Sequence, residues 1–312
     1  MHFKSLQNFY DLPNDFINLS YFLGLIKKNH TASPMNRRKF LATSSCTLAL
    51  SQVLSAKSYS LKGRIKKAVK FGTEPNEKQM MKLKDLGFDG IEGNGPGLQV
   101  GAMRNACAKF NLPMHGLVYS KHWHTRLSDP SPEVREQSRV GLAQSMREAQ
   151  AVGGTSVLLV PGKVGGANET HQHVWDRSIE QIKKLLPLAD ELKIHILIET
   201  VWNGFCYKPE QFRDYIDAID SQWVKAYYDI GNMQKYGPSH KWIKILGERT
   251  RKLDVKDWGS KNGFCPLGQG DVEWKKVRHE LEKIDFNGWA TREGSDGGVE
   301  NTARLMNELL DL

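Results

Sequence analysis

The 312-residue sequence predicts an α/β fold, a (β/α)8 TIM barrel preceded by an export leader. Three observations lead there. From about residue 61 onward, short apolar runs alternate with amphipathic helical segments, the pattern of a parallel sheet covered by helices. There are eight such units in about 250 residues, which suits a closed barrel better than an open sheet. Ahead of the first unit lies a twin arginine followed by a mildly apolar stretch.

The units follow in order. A first strand is expected over 67–72, although Lys66, Lys67 and Lys70 interrupt it. A helix over 77–86 comes next, and Gly87 supplies its left-handed cap. The second strand, 89–93, carries Glu92 and precedes a helix over 98–110. The third, 113–118, contains His115. The long helix after it, 132–152, opens with Pro132 in the first turn and closes at Gly153-Gly154. The fourth strand (156–160) and the helix over 175–192 lead to a fifth strand, 195–200, ending around Glu199. Pro209 opens the helix over 209–219. The sixth strand, 225–229, ends at Asp229, and its helix over 240–246 stops at Gly247. The seventh, 252–256, carries Asp254 and Lys256 and precedes a helix over 272–284. The eighth, 288–292, is followed by Glu293 and a last helix over 298–310.

Composition narrows the function classes. At 39% hydrophobic and 25% charged residues, the chain is neither collagen-like nor disordered as a whole. No run reaches the roughly 18 to 20 apolar residues of a membrane span. Four Cys with no CxxC pair exclude a disulfide scaffold and a thiolate zinc site. The net charge of +9 suggests nucleic acid, but residues 1–56 hold six basic residues against two acids. The remaining 256 residues carry 38 against 33, with no long basic cluster, so no nucleic-acid partner is expected.

The leader reads Met35-Asn-Arg37-Arg38-Lys-Phe40-Leu41, then a mildly apolar segment with small residues near Ser55 and Ala56. This resembles a bacterial twin-arginine export signal. Residues 1–34 are read as an over-extension of the start, 35–60 as the signal segment and 61–312 as the barrel. The expected location is periplasmic or otherwise exported, with no stable membrane span once the signal is removed.

In such a barrel the chemistry sits at the C-terminal ends of the strands. Glu199, Asp229, Asp254 and Glu293 end four consecutive strands there. A single strand-end acid more often caps a helix or pairs with a base, but four in register would repel one another. One divalent ion per chain removes that repulsion. All-oxygen ligands favour Mn²⁺ or Mg²⁺, and a nearby His would allow Co²⁺ or Zn²⁺. A metal flanked by two glutamates suits proton removal beside a carbonyl through an enediolate.

Other residues stand near this rim. Lys256 should share the inward face of Asp254, because strand side chains alternate. His115 reads either as a satisfied core histidine or as a pocket residue, and Glu92 as a fifth pocket acid or a helix cap. Trp123, Trp202, Trp258, Tyr119 and Phe205 fall in strand-end loops, where aromatic faces suit a carbohydrate or simply pack the loops. The Gly162–Gly166 stretch reads as a flexible loop or an anion cradle. In an oxidising compartment Cys206 and Cys265 could form a disulfide.

An ordered set of motifs spans residues 64–311. It comprises His122-Trp123 with Leu127-Ser128-Asp129-Pro130, then Glu199-Thr200-Val201-Trp202-Asn203, then Tyr228-Asp229-Ile230-Gly231-Asn232. Trp242 to Gly247, Leu253-Asp254-Val255-Lys256-Asp257 and Leu267 to Trp274 complete it. The set resembles the sugar phosphate isomerase/epimerase family of xylose-isomerase-like TIM barrels. The resemblance implies that Glu199, Asp229 and Glu293 ligate a metal and that Glu199 and Glu293 act as the acid/base pair. It implies substrate contacts for His122, Trp123, Asn203 and Asn232. The family's fourth ligand is commonly a His on strand seven; here it is Asp254, which shifts the expected site toward Mn²⁺ or Mg²⁺, or weakens it.

The expected function is therefore a metal-dependent sugar isomerase or epimerase acting on a small-molecule carbohydrate. A 3-keto-glycoside lyase on the same site is the alternative, and a non-catalytic sugar-binding barrel with a degenerate site the second. The family also includes apurinic-site endonucleases, but a His-poor set and modest charge disfavour that activity. No surface patch speaks for or against a homo-oligomer.

Overall fold

Along a strand, successive side chains point to opposite faces. Each apolar run therefore sends alternate residues into the barrel and the rest toward the helices. In the computed structural model, which describes residues 61–312, this alternation builds a closed barrel. The chain runs β1 (Ile65–Lys70), α1 (Glu77–Asp85), β2 (Gly90–Gly95), α2 (Val100–Phe110), β3 (Met114–Tyr119) and α3 (Pro132–Ala151). It continues through β4 (Ser156–Leu159), α4 (His171–Leu192), β5 (His195–Ile198), α5 (Pro209–Ile219), β6 (Val224–Asp229), a short α6 (Ile230–Gln234) and α7 (Ser239–Leu246). After β7 (Thr250–Val255) a hairpin of β8 (Asp257–Gly259) and β9 (Gly263–Cys265) intervenes. Then α8 (Trp274–Lys283), β10 (Gly288–Arg292) and α9 (Val299–Leu310) complete the chain. The barrel order is β1-β10-β7-β6-β5-β4-β3-β2, with all neighbours parallel.

The outward residues make the main core. Ile196, Ile198, Tyr228, Leu253 and Val255 pack with the apolar faces of the helices. Their inward neighbours differ in kind. Leu158, Val160, Leu197, Val201 and Tyr227 form a small apolar cluster inside the barrel. Tyr227 is followed two residues later by Asp229, Leu197 by Glu199, and Lys252 by Asp254. The same period that fills the barrel with side chains thus delivers acids to its mouth.

Local signals set most boundaries. Ser131 caps α3, its hydroxyl accepting the Val134 N–H, with Pro132 next in the first turn. Thr170 makes a reciprocal cap with His173, so α4 begins at His171 rather than at the expected 175. β1 lies two residues earlier than the expected 67–72. Ile65 pairs with Gly288, and the lysines in the strand are accommodated: Lys66 lies over the Trp289 ring and Lys70 turns inward onto acids. Between α4 and α5, the buried hydroxyls of Ser178 and Tyr215 lie 2.7 Å apart. Tyr215→Phe is expected to cost about 1 kcal/mol in urea unfolding.

The expected signal segment over 35–60 and the expected over-extension 1–34 lie outside the described residues. Among the described residues no helix is long and apolar enough to cross a membrane. Cys206 and Cys265 form no disulfide; both thiols are free. Cys206 is buried against the start of α5, with Sγ 3.6 Å from the Gln211 carbonyl.

Candidate active site

Four strand ends place four carboxyl groups in one small volume. Glu199 follows β5, Asp229 ends β6, Asp254 lies in β7 and Glu293 follows β10. These strands are consecutive in the sheet, and Asp229 and Asp254 are register partners. One oxygen from each acid lies within 4.8 Å of the others. Asp229 and Asp254 are fully buried and Glu199 nearly so, while the Glu293 side chain is 41% exposed.

Two lysines enter the cluster. Lys256 Nζ lies 3.0 Å from Asp229 Oδ2 and 3.0 Å from Glu293 Oε2. Lys70 Nζ lies 2.9 Å from Asp254 Oδ1 and 2.7 Å from Glu92 Oε2. Burial raises the Glu199 carboxyl well above the usual range, and Asp254, Asp229 and Glu293 push it further. Burial raises Asp229 and Asp254 too. Burial also acts to raise Glu293, but Lys70 and Lys256 outweigh it and hold this carboxyl below its ordinary value.

The residues fit a hard divalent cation. Asp229 Oδ2 and Asp254 Oδ1 are buried and accept no aligned hydrogen bond. Two ammonium groups cannot balance these four acids together with Glu92. Glu199, Asp229, Asp254 and Glu293 are the residues that could hold such an ion, through oxygen atoms alone.

Without metal, these raised carboxyls set a pH dependence. A carboxyl whose folded pKa exceeds its unfolded value binds more protons when folded, so stability falls as pH rises. The contribution of Glu199, Asp229 and Asp254 is fully present below about pH 4 and is lost as pH climbs through their raised values. In EDTA, thermal scans are expected to show Tm falling with pH above that point. Added Mn²⁺ is expected to flatten the fall.

Above the acids opens a cavity of about 490 Å³. Glu199 and Glu293 line it; Asp229 and Asp254 lie beneath. Its walls include Lys70, Asn94, His122, Trp123, Trp202, Asn232, Lys256 and Phe264. The xylose isomerase-like TIM barrel family matches residues 81–311, nearly the whole barrel. The chain belongs to this family.

Solved structures of the same fold lie far away in sequence. A D-tagatose 3-epimerase-like protein shares 16% identity at a TM-score of 0.67, over 79% of this chain and 97% of its own. The 3-keto-D-glucoside 4-epimerase YcjR from E. coli shares 15% at 0.67, over 80% and 100%. The IOLI protein with a binding zinc atom shares 12% at 0.67, over 79% and 98%. No curated protein matches the sequence.

Within this xylose isomerase-like barrel, the expected substrate-facing residues sort into two groups. His122, Trp123, Asn232 and Lys256 reach the cavity. His122 is buried, and its Nδ1 accepts the Val160 N–H at 3.3 Å. Its proton therefore sits on Nε2. Burial and the nearby Lys70 lower its pKa to about 3, so the ring is a neutral donor. Asn232 also ties the site together: its side-chain amide donates to Glu199 Oε1 at 3.1 Å, and its backbone carbonyl accepts from Trp202 Nε1 at 2.7 Å. Lys256 turns inward as alternation predicts. Gly231 makes room for it, because a Cβ there would collide with the Lys256 side chain.

Asn203, His115 and Glu92 do not line the cavity. Asn203 ties loops together, its amide donating to the Gly162 carbonyl and its Oδ1 accepting the Phe205 N–H. The Gly162–Gly166 stretch is thereby pinned to the loop after β5, and Val164 N–H also bonds the Asn203 carbonyl at 2.8 Å. His115 and Glu92 lie deeper, in a continuous polar chain. Lys252 Nζ is 2.7 Å from His115 Nδ1, and His115 Nε2 is 3.0 Å from Thr291 Oγ1. Tyr227 OH then links Thr291, at 2.9 Å, to Glu92 Oε2, at 2.8 Å. Glu92 is thus no helix cap. Among the aromatics, Tyr119 and Phe205 are buried packing residues, whereas Trp123 and Trp202 are open to the cavity.

Three cavity residues are not evident from sequence. Lys70 reads as an interruption of the first strand. Asn94 lies beyond the expected end of β2. Phe264 sits on the β8–β9 hairpin, whose three-residue strands give no periodic signal.

Proposed function

We propose that this chain is a divalent-metal-dependent sugar isomerase or epimerase that moves a proton next to a sugar carbonyl. One observation carries the proposal. Two carboxyl groups pushed in opposite directions, Glu199 up and Glu293 down, line a single cavity over two fully buried aspartates that share only two lysines with them and Glu92. Two carboxyl groups that flank one cavity can take and return a substrate proton in turn. Membership of the family and the sugar epimerases among the solved structures support the same kind of chemistry.

A divalent ion held by the four acids would supply polarisation of a carbonyl and its neighbouring hydroxyl. The chain's own residues do the rest. Glu293, kept ionised by Lys70 and Lys256, takes the proton from the carbon beside the carbonyl. Glu199, steadied by Asn232, returns a proton to the other carbon or to the other face. Lys256 offers positive charge to the oxygen as it gains electrons. His122 donates Nε2–H to a substrate hydroxyl, and the Trp123 and Trp202 faces receive the sugar's C–H surface. Export by the twin-arginine route, as a folded protein loaded with metal in the cytoplasm, belongs to the same proposal.

The test is incubation with Mn²⁺ and D-allulose or a 3-keto-D-glucoside in D₂O, followed by NMR. Deuterium on a carbon of an intact sugar skeleton supports isomerisation or epimerisation. Release of an aglycone instead points to the lyase reading, which is favoured by the position of Glu293 and Lys256 on the wall of a second cavity. Binding of sugar with no exchange and no metal uptake would sink both and leave a sugar-binding barrel.

A further inference from the structure

A second cavity of about 430 Å³ opens on the far side of Lys256, Phe264 and Glu293. These three residues border both cavities. A group reacting at Glu293 therefore has room to extend in two directions. Each space alone falls within the range of small-molecule sites.

The second cavity is built rather than left over. One wall is the β8–β9 hairpin with Phe264, Cys265 and Pro266. That hairpin is tied down at several points. Asp257 Oδ2 accepts the Gly268 N–H at 2.8 Å and the Trp274 Nε1–H at 3.1 Å. Asp271 Oδ2 accepts the Ser260 N–H at 2.7 Å. Phe264 stacks on Trp202 with ring centres 4.8 Å apart, yet stays 51% exposed. The opposite wall is Gly294-Ser295, which projects little into the space. Gly294 has a φ of +122°, and a Cβ there would press on the Arg292 guanidinium, so a larger side chain is barred.

Charge defines the occupant. The Arg292 guanidinium is committed to Asp296, at 2.8 Å through two nitrogens, and to the Val255 carbonyl at 3.0 Å. Lys256 is committed to Asp229 and Glu293. Arg292 is thus taken up, and Lys256 sits on the wall shared with the first cavity, facing the acid cluster, so no cation is dedicated to a phosphate or carboxylate here. Asp257 also lines it, but both its oxygens already accept N–H groups, from Trp258, Gly268 and Trp274. The remaining lining joins an apolar wall of Phe264 and Pro266 to Cys265 and the small polar Ser295, which matches a neutral ring with one C–H or aromatic face.

We propose that this cavity is a subsite for a neutral ring carried by the substrate, so that the substrate class is a glycoside rather than a free sugar. The inference rests on the sugar chemistry proposed above. The ring is glycosyl or aryl, and both chemistries present the same kind of face.

The experiment is calorimetric binding by the full chain with Mn²⁺. The ligands are 3-keto-D-glucose, its phenyl glycoside and a 3-keto disaccharide of glucose. At least one glycoside is expected to bind tenfold or more tightly than the free sugar. Ser295→Phe and Cys265→Phe fill the cavity from opposite walls, and each is expected to pull that ratio toward one. Preference for the phenyl compound assigns an aryl ring, and preference for the disaccharide a glycosyl ring. Equal binding of free sugar and glycosides, or a ratio that neither folded variant moves, overturns the subsite. Failure of all three ligands to bind wild type overturns the sugar reading itself, and the subsite with it.

Discussion

Glu293→Gln is expected to lower proton exchange into substrate by roughly 10²–10⁴-fold, the usual worth of a positioned general base. The amide keeps the size of the side chain and an oxygen near Lys256, so the loss reflects the missing base. Asp229→Asn should fail differently. Its remaining side-chain oxygen can still accept the Asn232 N–H, which Asp229 Oδ1 now does at 2.7 Å, so α6 keeps its start. Its charge is gone, however, and the site loses one of its two deepest carboxylates. Metal content by elemental analysis and exchange by NMR separate the two variants. Glu293→Gln should retain a substantial share of bound Mn²⁺ with little exchange, and Asp229→Asn should lose both. Wild-type exchange rates in Glu293→Gln would remove this residue from the chemistry.

Lys70→Met should weaken the fold and strengthen the metal site together. Lys70 is the cation between two fully buried acids, Glu92 and Asp254. Removing one partner of a buried ion pair leaves an uncompensated charge and costs about 3–5 kcal/mol. In metal-free protein that cost should appear directly in urea unfolding. A divalent ion would then meet one more unbalanced negative charge, so Mn²⁺ affinity should rise above that of wild type. Titration with Mn²⁺ should restore more stability to the variant than to wild type. Equal or weaker Mn²⁺ binding in Lys70→Met would show that this ammonium does not compete with the ion for Asp254.

The acids are legible because two simple periods coincide. Strand ends mark the rim of a barrel, and alternation fixes which strand residues face inward. Together these rules place Glu199, Asp229, Asp254, Glu293 and Lys256 correctly from sequence alone. Lys70 obeys the same rules but is hidden by register. Its strand pairs with β10 from Ile65 onward and aligns Lys70 with Glu92, facts that only long-range pairing decides. Asn203 shows the opposite failure. Its place in a motif beside Glu199 is plain, but the turn after β5 aims its amide at the Gly162 carbonyl instead of the cavity. Asn232 is evident from its position and not for its task, since its bonds to Glu199 and Trp202 depend on how the segment after β5 comes beside it. The β8–β9 hairpin gives no signal because three-residue strands are too short to show alternation.

The barrel closes where β1 meets β10, with Ile65 opposite Gly288 and Val69 opposite Arg292. That seam joins segments more than 200 residues apart along the chain. It also brings Lys70 beside strands carrying Asp254 and Glu293. During synthesis the sheet stays an open ribbon until residues 288–292 have left the ribosome, and long-range pairings of this kind form late. Until then Glu199, Asp229 and Asp254 lack Glu293, their fourth member, and Asp254 lacks Lys70 across the unclosed seam. A nascent chain, or one cut short before β10, would thus present three acids on an open sheet and no enclosed site. Full enclosure of the four-acid cluster becomes a property of finished molecules, and it distinguishes them from every incomplete one.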